Sequence, residues 1–190
     1  MKRGSRRGKS SNRWRKTERL QLGGWRIDYD REATVRAYES CVGAPEKCTT
    51  DECRNFILAR DRAYPPEVIA LLDRLGIDRR CEAELYHIAR VAPGLHLYGG
   101  WFHFVGSLET AADSLERLGE DFLLWFRSDT TLVAESFARL PVVQLDFTTV
   151  VPWVLDVPEP VSAPSPSRQS WFRALLRRAG GLWNRWRSRL

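Results

Sequence analysis

A chain of 190 residues, 43% hydrophobic and 11% aromatic, is long enough to bury one sizeable core with segments left over. No apolar run approaches the roughly 20 residues of a membrane span, and the basic N-terminus is not followed by an apolar signal core, so a cytoplasmic protein is expected. The net charge of +6 hides a division: residues 1–20 carry nine Lys or Arg and one acid, residues 161–190 carry seven Arg and no acid, and the remaining fourteen bases and twenty-three acids leave residues 21–160 at −9. An acidic body thus lies between two cationic arms, which attract polyanions such as an anionic lipid surface or nucleic acid.

Residues 1–20 hold too few apolar side chains to bury and read as a disordered basic arm, with order expected from Trp25 onward. Residues 25–29 and 34–38 alternate apolar and polar on either side of Asp30-Arg31-Glu32-Ala33, a β-hairpin pattern. Thr49, three residues before Glu52, has the form of a capping box, and Cys53, Phe56, Ile57 and Tyr64 follow at helical spacing toward Pro65. A second helix, opened by Pro65-Pro66 and closed by Gly76, is predicted from Val68, Leu71, Leu72 and Leu75. Residues 84–91 read as a strand, Ala92-Pro93-Gly94 as its turn, and residues 95–106 as the antiparallel partner at the centre of the fold. In that partner, Gly99-Gly100 marks a bulge, a bend or a close approach of another backbone, and an extra residue there would switch which side chains face inward.

Farther on, residues 108–118 suggest a helix ended by Gly119, residues 122–126 a buried strand, and residues 132–139 a short helix ended by Pro141. Residues 142–147 and 150–155 read as the last two strands, the second at an edge or irregular because of Pro152. The pattern is α+β over residues 21–156: one mainly antiparallel sheet with two to four short helices, plus a separate C-terminal amphipathic helix. Residues 157–170 are rich in Pro and Ser and read as a semi-rigid linker.

In residues 171–190, Phe172, Leu175, Leu176, Ala179, Leu182, Trp183, Trp186 and Leu190 share one helical face, and arginines occupy the rest. Trp171, Phe172, Arg173, Arg177, Arg178, Trp183, Arg185, Trp186 and Arg187 are the residues expected to meet a surface. Trp belongs at a membrane interface and Arg reaches phosphate, so this segment suits a helix lying on an anionic leaflet, which would put the protein at the inner membrane face. The same face also fits docking on the chain's own acidic body as an ordinary packed helix, or an acidic partner protein's groove, and its arginines fit nucleic acid, although phosphate binding leaves the aligned tryptophans unexplained.

Cys41, Cys48, Cys53 and Cys81 offer weaker signals. Only Cys48 and Cys53 approach the spacing of a zinc ligand pair, and a site would need Cys41 and either Cys81 or a histidine to complete it. A thiol-dependent enzyme would use Cys53, lowered in pKa at a helix N-terminus, with His103 or His87 as base. Cysteine also packs well as a small core residue, and a cytosolic disulfide is not expected. No glycine-rich phosphate loop, His-Glu metal pair or Gly-x-Ser-x-Gly elbow is present. The predicted function is therefore a non-catalytic binding domain with a surface-seeking tail.

Cys53-Arg54-Asn55-Phe56, Tyr64-Pro65-Pro66-Glu67, Leu75-Gly76-Ile77-Asp78, Glu84-Leu85-Tyr86-His87, residues 98–106 and Val151-Pro152-Trp153-Val154-Leu155 together resemble a family of small bacterial domains of unknown function. The resemblance covers about residues 25–156 and excludes both arms. It implies a bacterial, single-domain protein and brings no activity.

Overall fold

The computed structural model describes residues 17–110 and 114–160. As the sequence indicates, the fold is α+β: one antiparallel sheet of seven strands, β1 (Glu18–Leu22), β2 (Trp25–Tyr29), β3 (Glu84–Ala92), β4 (Leu95–Thr110), β5 (Glu116–Leu118), β6 (Phe122–Arg127) and β7 (Val142–Pro152). Four helices accompany it among the described residues, α1 (Arg31–Tyr38), α2 (Ala44–Lys47), α3 (Asp51–Ala63) and α4 (Pro66–Leu75). The 16-residue β4 organises the sheet. Its first half pairs with β3 and its second with β2 along one edge, while its other edge pairs with β7 from Leu95↔Pro152 to Val105↔Val142.

Alternation along β4 and β7 divides the sheet into two faces. Tyr98, Phe102, Phe104, Leu145 and Phe147 join Phe122, Leu124 and Phe126 of β6 beneath α1, α3 and α4. Tyr64, at the C-terminal end of α3, sits at the middle of this core, its ring centroid 5.8, 6.0, 6.0 and 6.2 Å from those of Phe147, Phe102, Phe122 and Phe56. Each such side chain contributes roughly 1.5–3 kcal/mol by leaving water. Helices α3 and α4 follow the predicted signals: Thr50 accepts from the Cys53 backbone N–H, and Gly76 takes the left-handed cap at φ 77°. The cap residue is Thr50 rather than Thr49, so Glu52 does not close the expected box.

Five expectations are overturned. Residues 31–38 are helix α1, not the second arm of a hairpin, because the Asp30 carboxylate caps Ala33 at 2.9 Å and Thr34, Ala37 and Tyr38 then fall on one buried side. The true partner of β2 is β1, which begins at Glu18 inside the span assigned to the basic arm and buries Leu20. Leu108 continues β4 and residues 116–118 form β5, in place of a helix. Residues 142–152 make one central strand that Pro152 terminates, and the short helix before it contracts to a 3-10 turn at Glu135–Phe137.

The glycine pair does not break the β4 register. The bulges lie opposite, in β3, between His87 and Ala89 and between Arg90 and Ala92. Gly100 instead permits close approach: a Cβ there would lie 2.5 Å from the Glu84 carbonyl oxygen and 3.0 Å from the Phe147 ring. Gly100→Ala should therefore destabilise the domain by about 1–3 kcal/mol in urea unfolding without changing its fold.

Candidate functional site

Two groups of polar side chains are positioned by this fold, one on each face of the sheet. The first lines a cleft of about 240 Å³ between the start of α3 and strands β3 and β4, walled by Cys48, Thr50, Glu52, Cys53, Leu85, Tyr86, His87 and Tyr98. Cys48 and Cys53 are joined as a disulfide with their Cα atoms 6.0 Å apart. Cys53 is the third residue of α3 and buried, whereas Cys48, just after α2, is half-buried.

Behind the cleft runs a chain of hydrogen bonds: His87 Nε2 meets His96 Nδ1 at 2.9 Å, and His96 Nε2 meets Glu159 Oε2 at 3.0 Å. Glu159 also accepts from the Gly94 N–H and pairs with Arg90. The hydrogen bond from His96 holds its carboxyl below the usual range. With Glu159 ionised, His96 donates through Nε2, and in the tautomer where its Nδ1 accepts, neutral His87 donates through Nε2 and keeps its lone pair on Nδ1. Burial, and then neighbouring His96, push the His87 pKa down, which favours that neutral form.

What brings Glu159 to this place is Asn55, fully buried in α3. Its amide donates to the Pro152 carbonyl at 3.1 Å and to the Tyr98 hydroxyl at 3.3 Å, and its oxygen accepts from the Val154 N–H at 2.7 Å. The chain leaving β7 is thereby turned along α3. Trp153 packs its ring 4.9 Å from that of His96, and its indole N–H donates to the Val157 carbonyl. Residues 157–160, read from sequence as the start of a linker, thus lie against the domain.

The second group lies on the opposite face. Trp101 and His103 of β4 stand across from Asp146 and Gln144 of β7, with Thr148 one pleat along. Gln144 donates to Asp146 Oδ1 at 3.0 Å and accepts from the Thr131 N–H at 3.0 Å. Trp101 Nε1, His103 Nε2, Asp146 Oδ2 and Thr148 Oγ1 are buried without a hydrogen-bond partner among the described residues. Burial pushes the Asp146 carboxyl up to about 7 and the His103 imidazole down to about 4. Each unsatisfied buried polar atom opposes folding by roughly 1–3 kcal/mol, so this face is kept polar against stability.

The cysteine expectations are corrected on two counts. Cys41, Cys48 and Cys53 do not gather: Cys48 bonds to Cys53, and Cys41 shares a hydrogen bond with the Cys81 thiol. Among the described residues no three His, Cys, Asp or Glu side chains are placed to hold a metal. His103 lies on the other face of the sheet from α3, so the histidine that shares a cleft with Cys53 is His87. Trp171, Phe172, Arg173, Arg177, Arg178, Trp183, Arg185, Trp186 and Arg187 lie outside the described residues. Sequence reasoning missed Glu159, Asn55 and Asp146, since nothing local marks a carboxylate in a Pro-rich stretch or an amide within a helix. No protein-family model matches the chain, and neither do the curated proteins or the solved structures. The resemblance to small bacterial domains accordingly rests on its motifs alone.

Proposed function

We propose that this protein is a non-catalytic binding domain fastened to an anionic membrane surface by its C-terminal segment. The observation that carries the reading is the composition of residues 161–190: seven arginines, no acid, and a Trp/Leu set at steps of three and four between Phe172 and Leu190. Residues 21–160, at −9, repel an anionic leaflet, so attachment falls to the arms. Among the described residues no helix is long and apolar enough to cross a membrane.

Each arginine near such a surface adds about 1 kcal/mol, and salt screens it. Binding of the full chain to vesicles should therefore rise with the fraction of anionic lipid and fall by an order of magnitude or more between 50 and 500 mM salt, values chosen to span the Debye range. Binding that is indifferent to both lipid charge and salt would remove the proposal.

A further inference from the structure

The first face carries a chemistry that a binding role does not use. The Cys48–Cys53 bond borders the cleft, its Cys48 end is half-exposed, and its Cys53 end sits in the first turn of a 13-residue helix. In the same cleft stands His87, backed by His96 and Glu159 at 2.9 and 3.0 Å. A disulfide that only staples the loop between α2 and α3 needs neither an opening nor a histidine relay beside it.

We propose that Cys48–Cys53 is a redox-active disulfide that exchanges with a small cationic thiol entering the cleft. The incoming thiol passes its proton to His87, and its thiolate attacks the more exposed Cys48 Sγ. A bond forms between that sulfur and Cys48 while the Cys48–Cys53 bond breaks. Cys53 leaves as a thiolate at the N-terminal turn of α3, where the helix dipole and free N–H groups favour negative charge, and it then recovers the proton from His87. A second thiol repeats the attack on the mixed disulfide and frees Cys48. The balance is two thiols oxidised to one disulfide and the protein disulfide reduced to two thiols, with two electrons and two protons transferred.

The charge of the thiol follows from the walls. Asp51 is paired with Arg54 at 2.8 Å, which leaves Glu52 as the carboxylate lining the cleft beside a neutral His87. An amine-bearing thiol is attracted there and a carboxylate-bearing one repelled.

The full chain, purified without reductant, is treated with cysteamine or with thioglycolate at equal thiolate concentration, alkylated at intervals and mapped by mass spectrometry. Cys48 and Cys53 should be protected from alkylation at the start, and cysteamine should expose them about tenfold faster than thioglycolate. Cys53→Ser, given the disulfide cystamine in place of cysteamine, should take up one cysteamine on Cys48 as a mixed disulfide and release the other as a thiol. His87→Gln, with an unchanged melting temperature, should slow the exchange about tenfold. Alkylation of both cysteines before any thiol is added would overturn the proposal, as would exchange seen only after unfolding. Equal rates for the two thiols would overturn the charge assignment, and an unchanged rate in His87→Gln would overturn the role of His87.

Discussion

Arg60→Leu should lower the stability of the domain by about 3–5 kcal/mol, enough to unfold much of it at 37 °C. Arg60 donates from Nε and Nη2 to the two oxygens of Glu82 at 3.1 and 3.0 Å, and its Nη1 reaches Glu46 at 2.7 Å. Tyr64 donates to Glu82 Oε1 at 2.7 Å, which ties the pair to the aromatic ring at the centre of the core. The Glu82 side chain is fully buried, and burial raises its pKa despite Arg60. Removing the guanidinium leaves a carboxylate with one hydroxyl donor and no opposing charge. The double variant Arg60→Leu/Glu82→Met should regain a large part of the loss, because the stranded charge goes with it. Urea unfolding of both variants checks this, and additive losses would show that packing, not the buried charge, dominates.

Asp146→Asn should instead stabilise the protein, and only above acid pH. Burial lifts the Asp146 carboxyl from 3.8 to about 7, so the native state holds its proton across a range where the unfolded chain has lost it. The stability this proton confers is full below pH 3.8 and disappears as the pH rises through about 7. Asparagine keeps the shape and the acceptor for Gln144, which donates to Oδ1 at 3.0 Å. The difference between variant and parent should therefore be near zero at pH 4, rise by about 1.4 kcal/mol per unit, and level off above pH 7.

His103 makes the parent itself look flat. Its imidazole is pushed down to about 4 by burial, so between that pH and 6.5 the unfolded chain binds the extra proton, opposite in sign to Asp146. Removing the carboxylate exposes the histidine slope, and the variant gains stability with pH over the interval where the parent hardly changes. A variant whose stability tracks that of the parent from pH 4 to 8 would contradict the assignment.

These residues show how far the sequence could be followed. Helices α3 and α4 and strands β3 and β4 are legible because each has a strong period and a punctuating proline or glycine nearby, β6 shows as a short apolar run after Gly119, and β7 reads as two strands where the fold makes one. Helix α1 was not, since five residues from Thr34 to Tyr38 fit a period of two as well as one of 3.6, and only the Asp30 cap decides between them. The hairpin of β1 and β2 was lost because the charge of the preceding residues outweighed the alternation of Leu20 and Leu22 around Gln21. At the sites, the cysteine spacing pointed to Cys48 and Cys53 but not to the bond between them. The histidine nearest them is set by strand pairing, since His87 lies opposite Tyr98, and sequence proximity carries no trace of it. Glu159 reaches His96 across 63 positions, through the turn that Asn55 imposes.

Co-sedimentation with phosphatidylglycerol vesicles, comparing the full chain with one ending at residue 167, tests the proposed membrane attachment directly. The full chain should pellet with the vesicles, resist displacement by added RNA or acidic protein, and lose its binding on truncation while the shortened domain keeps its melting temperature. Equal pelleting of both chains, none by the full chain, or release by RNA would contradict the account.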